Sequence, residues 1–250
     1  MKERVKNGIL ALSGVAFLAL AWAVAFWLVG NETLMPSPWK TARAFFALFA
    51  SKAFYTAFFS TLARTLLAFL LSAVLAAGLA LVAYLLPPFE RFFAPVVAVM
   101  RALPTLAVLL MLLVWTSGGA SAVTVAFLGL FPLLYTAVSS SLTGVDSGLK
   151  EVCKVYRVGV VEQIKCLYLP HALPKLWKEG GAGLSFGLKL VVSAEILSST
   201  FQSVGGAMQE AKFTYEYPLL FALTAAVCLT GLLVEWGANA LSRRAERRTL

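Results

Sequence analysis

At 250 residues the chain is 60% hydrophobic and only 13% charged, where soluble domains are about a quarter charged and under half apolar. Its mean hydropathy of +0.84 is carried by blocks of about 20 apolar residues, the length that crosses bilayer hydrocarbon, which excludes an ordinary soluble enzyme. The net charge of +9 sits at the ends of those blocks, the pattern of membrane orientation and not of nucleic-acid binding. The expected fold is therefore all-α and integral to the membrane, a single domain over 1–250 with about six transmembrane helices.

The first block, 8–29, follows Lys2, Arg4 and Lys6 and is long enough to span; a secretory signal with Ala21-Trp22-Ala23 as its cleavage site is the competing reading. After Glu32 comes Leu34-Met35-Pro36-Ser37-Pro38, a rigid non-helical stretch. The aromatic-rich segment 45–59 is expected along the membrane interface. A second span, 61–86, is closed by Pro87-Pro88, because proline lacks a donor and disfavours helix before it. The third, 93–115, is interrupted by Arg101 and Pro104. An arginine and a lost hydrogen bond at that depth point to a polar cavity, or to an arginine snorkelling from a helix end.

The fourth span is expected over 120–138, the fifth over 181–199 with Lys189 and Glu195, and the sixth over 218–241 with Glu235, ending in Arg243, Arg244, Arg247 and Arg248. Between the fourth and fifth lies the longest polar loop, 139–180. Alternating sides from a cytoplasmic amino terminus places Lys2, Arg4, Lys6, Arg91, the loop lysines and Arg157, and the four terminal arginines inside. Lys40, Arg43, Lys52 and Lys212 fall outside. That imbalance implies a multi-pass protein with both termini and the long loop in the cytoplasm.

Within the loop, Leu149, Val152, Cys153 and Tyr156 recur on one helical face, with Lys150, Lys154 and Arg157 on another. Gly159 marks a turn, and a second piece, with Val161, Ile164 and Tyr168 on its apolar face, is expected to stop at Leu169-Pro170. Such a pair either lies on headgroups or docks in a partner's groove. Cys153, Cys166 and Cys228 form no CxxC pair, and one histidine, His171, leaves too few ligands for zinc or haem. Gly78, Gly183 and Gly187 read as points of close helix packing. Glu195 is the pathway candidate, an ionisable group inside a span being costly; the alternative is a structural pair with Lys189 or Arg101, or hydrogen bonding between helices.

Glu151-Val152-Cys153, followed at the right distance by Leu169-Pro170, resembles the EAA loop of binding-protein-dependent ABC transporter permeases, whose pattern is E-A-A, three residues, G, then an apolar stretch ending in L-P. Val152 and Cys153 replace the alanines, and Arg157 occupies the glycine position. Leu34-Met35-Pro36-Ser37-Pro38, Arg101-Ala102-Leu103-Pro104, Phe131-Pro132, Gly144-Val145-Asp146, Ala194-Glu195-Ile196-Leu197 and Val204-Gly205-Gly206 stand in the order and spacing found in the nitrate, sulfonate, taurine and thiamine-precursor branch of that family.

The resemblance implies a type I ABC importer permease-like fold and the permease subunit of an importer in the bacterial cytoplasmic (inner) membrane, moving a small solute inward. It implies as partners a separate ABC ATPase, an extracytoplasmic solute-binding protein, membrane lipid and a second permease copy in a homodimer. The chain has no GxxxxGK[ST] loop, so no ATP or other cofactor is expected on it and it is not itself the enzyme. Coupling through 149–170 is assigned to Glu151, Lys154, Arg157, Gly159 and Pro170, and the pathway to Glu195, Arg101 and Pro104. The competing class is a secondary transporter or channel, which typically shows paired inverted repeats. An integral-membrane enzyme is the other, and it would need a reactive cluster that this sequence does not show.

Overall fold

The computed structural model describes residues 2–31 and 35–249, with side chains for all of these except 2–12, 15, 160–161 and 246–249; Glu32 and Leu34 of the sequence reading lie outside the described residues. Among the described residues every regular element is helical: α1 (Lys2–Val29), α2 (Pro38–Leu48), α3 (Lys52–Leu85), α4 (Pro87–Ala102), α5 (Thr105–Leu112), α6 (Gly118–Thr143), α7 (Ser147–Val155), α8 (Val160–Gln163), α9 (Leu169–Leu197), α10 (Val204–Phe213) and α11 (Tyr217–Thr249). A π-helical turn, Ile164–Tyr168, joins α8 to α9.

Among the described residues four helices are long and apolar enough to cross a membrane: Lys52–Leu85, Gly118–Thr143, Ile164–Leu197 and Tyr217–Ala245. The expected third span is not one rod. It is α4 and α5, meeting at 87°, because Leu103 and Pro104 are extended and Pro104 has no N–H to continue the ladder. Counted together they make a fifth span. The expected first span lies in α1, which Gly30 closes at φ 60°, the left-handed conformation that glycine adopts without a Cβ penalty.

Two boundaries differ from the sequence reading. The aromatic segment 45–59 is not one interfacial stretch: Ser51 caps α3 by accepting from the Phe54 N–H at 3.4 Å, so residues from 52 onward belong to the second span. Edge-to-face contacts Phe45–Phe49 and Phe49–Phe54 fasten the turn between α2 and α3. The second loop helix does not stop at Leu169-Pro170 either. Pro170 cannot donate, and the π turn before it widens the ladder so that the Leu169 N–H reaches back to Ile164 O. Helix therefore continues unbroken into the fifth span.

The packing inverts the soluble pattern. Beyond Phe54 in its first turn, the buried face of α3 is Ala57, Thr61, Thr65, Ala68, Ser72, Ala76, Ala80 and Ala83, while Leu67, Leu70, Val74 and Leu75 point outward. In lipid no hydrophobic force pulls leucine inward, so small residues that let backbones approach win the interface. α9 is central, packed on α6, α11 and α3. A Cβ at Gly181 would run into Ala238 of α11, and one at Gly187 would meet Leu130 of α6 at 2.8 Å. Gly183 has Leu134 at 3.3 Å, but Gly78 has nothing within 4 Å, so the expected close approach at Gly78 is not made.

Candidate functional site

The first element of the site is the loop helix α7. Asp146 caps it, accepting from the Leu149 N–H at 3.1 Å. Its C-terminus closes as a Schellman turn: Val158 N–H donates to Cys153 O at 2.9 Å and Arg157 N–H to Lys154 O at 3.2 Å. Arg157 sits at the turn's left-handed position, φ 50°. The turn residue is thus Arg157 and not Gly159, which instead precedes α8 and accepts from the N–H of Gln163, the last residue of that helix. The position where the resembled pattern carries glycine is the one whose backbone favours glycine, and this chain fills it with an arginine at a cost of about 1–2 kcal/mol.

The apolar face of α7 is uncovered: Leu149 and Val152 are half exposed, Val155 and Tyr156 more than three-quarters. Glu151, Lys154 and Arg157 are exposed too. Two tethers hold the loop to the membrane body. The Tyr168 hydroxyl is 2.8 Å from the Tyr84 hydroxyl at the end of α3, and Lys150 Nζ lies 5.8 Å from the Tyr84 ring centroid. Sequence reasoning missed Tyr84, an aromatic three residues before Pro87-Pro88. Pro170 starts α9 behind the π turn, on the far side of that joint from α7. His171 lies on α9 and is exposed, not in a loop.

The second element is a cleft of about 540 Å³, lined by apolar and polar side chains, between the α4–α5 bend, α6 and α9. Arg101 and Lys175 supply positive charge, Glu179 negative, and Thr105, Thr136 and Ser140 hydroxyls. Lys175 Nζ donates to Ser140 Oγ at 2.8 Å. Pro104 makes the bend that sets Arg101 there but does not itself line the cleft.

Glu195 is elsewhere. It is fully buried near the other end of α9, with Oε1 accepting from Arg64 Nη1 at 2.8 Å and Oε2 from Thr61 Oγ1 at 2.8 Å and Gly205 N–H at 3.2 Å. The Val204 N–H in turn donates to Thr61 Oγ1 at 3.0 Å. The ion pair thus joins α3, α9 and the first turn of α10, whose N–H groups favour a carboxylate. Gly205 is required for it, since a Cβ there would press on Ile196 N at 2.7 Å. Neither Lys189 nor Arg101 partners Glu195; Arg64 does, and the sequence reading missed it. A signal existed: Ala57, Thr61, Arg64 and Ala68 lie at helical spacing on the small-residue face, and an arginine facing inward implies a buried acid.

Among the described residues no group of three His, Cys, Asp or Glu could hold a metal ion. All three cysteines are free.

Residues 68–247 match the model of the family described as binding-protein-dependent transport system inner membrane component. The putative aliphatic sulfonates transport permease protein SsuC of Bacillus subtilis (strain 168) is 29% identical over 175 residues, covering 67% of this chain and 62% of that protein. The taurine transport system permease protein TauC of Escherichia coli (strain K12) is 24% identical over 161 residues, covering 64% and 58%. The chain thus spans less than two thirds of the length of these relatives.

Two solved structures share the fold. The inward-facing MetNI methionine ABC transporter aligns with a TM-score of 0.67 at 16% identity over 75% of this chain and 93% of that one. An amino acid ABC transporter with histidines aligns at 0.64 and 17%, over 77% and 94%. With a capped, uncovered loop helix, a broken third span and a family match across most of its length, the chain belongs to the binding-protein-dependent transport system inner membrane components.

Proposed function

We propose that this chain is the permease subunit of an ATP-driven importer in the bacterial cytoplasmic membrane. It works as a homodimer with a separate ATPase and an extracytoplasmic binding protein, and both its termini face the cytoplasm. The observation that carries the reading is α7: a capped, Schellman-closed helix whose Leu149, Val152, Val155 and Tyr156 find no cover in their own chain. An uncovered apolar stripe flanked by Glu151, Lys154 and Arg157 suits a partner's groove. Gly159 and Pro170 set the direction of the chain on leaving α7 and entering α9.

In this reading the ATPase moves α7 as a rigid body on closing over ATP, and the Tyr84–Tyr168 contact and the π turn pass that motion to α3 and α9. The solute crosses beside the α4–α5 bend, where Arg101 and Lys175 receive an anionic group and Pro104 fixes the geometry. A small organosulfonate fits that charge, and the relatives named above are sulfonate and taurine permeases. Glu195, held by three donors away from the cleft, braces the outer end of the pathway.

The test is recovery of the neighbouring-gene ATPase with the tagged permease. Wild type retains it through purification, and Glu151→Lys loses most of it. Equal recovery by both removes Glu151 from the interface; ATP-independent solute uptake by vesicles holding the permease alone overturns the importer reading.

A further inference from the structure

Two adjoining troughs run along the crossing of α9 and α11, of about 550 and 570 Å³, sharing Leu173, Trp177 and Leu241 in their walls. The upper trough holds no charged side chain; its floor is opened by Gly180 and Gly237, and Phe69 of α3 closes its back. The lower trough ends on Arg244, beside the Leu169-Pro170 junction. A smaller hollow of about 240 Å³ next to it is lined by Trp236, Arg243 and Arg244. Ser242 Oγ donates to Pro174 O at 2.8 Å, pinning the end of α11 to α9, so the trough is a fixed feature of the crossing.

This surface has two chemistries in series: a long apolar slot, then two guanidinium groups beside a tryptophan. Among the described residues neither Arg243 nor Arg244 has a carboxylate within ion-pair distance. Hydrocarbon chains match the slot, and a phosphodiester matches the arginines, which guanidinium binds by paired N–H donors. A second copy of this chain is a poorer occupant, because an isologous contact centred here would bring its own Arg243 and Arg244 against these.

We propose that the α9–α11 trough is a binding site for one anionic phospholipid, with acyl chain between Leu173, Trp177 and Leu241 and headgroup on Arg243 and Arg244. The proposal takes from the functional reading only the placement of the carboxy-terminal arginines in the cytoplasmic leaflet, and it stands whether or not a sulfonate is the solute. Because the lower trough touches Leu169 and Pro170, the headgroup lies against the exit of the coupling loop.

The test uses native mass spectrometry of the full-length protein in detergent, titrated with phosphatidylglycerol or phosphatidylcholine. Wild type should hold one phosphatidylglycerol in preference to phosphatidylcholine. Arg243→Gln/Arg244→Gln should lower phosphatidylglycerol affinity about thirtyfold, from about 1 kcal/mol per basic residue. Gly237→Leu should abolish the adduct by filling the slot, since a Cβ there meets nothing within 4 Å. Arg91→Gln, an exposed basic change outside the trough, should leave binding unaltered. Equal occupancy by the two lipids overturns the proposal, as does wild-type affinity in the double arginine variant. So does cross-linking of Gly237→Cys to the same residue of a second copy. Failure of any of these leaves ATPase recovery untouched, so the two readings fail separately.

Discussion

Removing Arg64 should unfold the α3–α9–α10 end of the bundle more readily than removing the charge of Glu195, and the two changes should not add. In Arg64→Met the carboxylate stays buried, with Thr61 and Gly205 still donating to Oε2 but no donor left at Oε1. Breaking a buried pair from one side costs about 3–5 kcal/mol. The Arg64 side chain is 22% exposed, so water screens the pair slightly and the low end, about 3 kcal/mol, is expected. In Glu195→Gln the amide oxygen keeps the Thr61 and Gly205 bonds while its NH2 group faces the guanidinium, losing one charge-assisted bond at about 2–3 kcal/mol. The double variant Arg64→Met/Glu195→Gln buries no charge at all. Its loss should be near 3 kcal/mol and not the sum, a coupling of about 2 kcal/mol. Denaturant unfolding of the four proteins in one mixed micelle, followed by tryptophan fluorescence, measures the cycle. A coupling below about 0.5 kcal/mol would refute the claim that Arg64 and Glu195 are one unit.

Gly205→Ala should cost about as much as losing Arg64, because its Cβ would displace the α9 backbone at Ile196 and pull a donor from Glu195; a melting temperature within 1–2 °C of wild type, a shift of well under about 1 kcal/mol, would contradict this. Arg157→Gly should stabilise the α7 turn by about 1 kcal/mol by relieving the left-handed backbone, whereas Arg157→Val should weaken it; hydrogen exchange at the Val158 amide, bonded to Cys153 O, reads the turn directly. Tyr84→Phe keeps the ring under Lys150 but removes the hydroxyl from Tyr168. It should lower solute moved per ATP hydrolysed in reconstituted complex several-fold while leaving ATPase recovery intact, and an unchanged ratio would remove Tyr84 from the coupling route.

The spans were legible because a run of about 20 apolar residues has one meaning in a chain this poor in charge. The break at Arg101 and Pro104 was legible for a related reason, since proline at that depth cannot continue a helix. Its 87° angle was not, because the direction of a bend is set by what α5 packs against. The run into α9 was misread at Leu169-Pro170, where a proline signals an ending unless the preceding turn widens; the π turn that does so leaves no mark in hydropathy. The partner of Glu195 lies 131 positions away, beyond any local pattern, and only the inward face of Arg64 on α3 points to it. The apolar face of α7 was readable as a stripe, but the left-handed turn fell to Arg157, where composition alone favours Gly159.

The glycines of α9 have a mechanical meaning. From Ile164 to Leu197 the rod is 34 residues, about 50 Å at the helical rise, and two of its glycines, Gly181 against Ala238 of α11 and Gly187 against Leu130 of α6, fall near its midpoint. It is built like a see-saw. Any tilt about that pivot swings the end beneath the loop and the end bearing Glu195 in opposite senses through similar arcs. Widening one mouth of the bundle would then narrow the other.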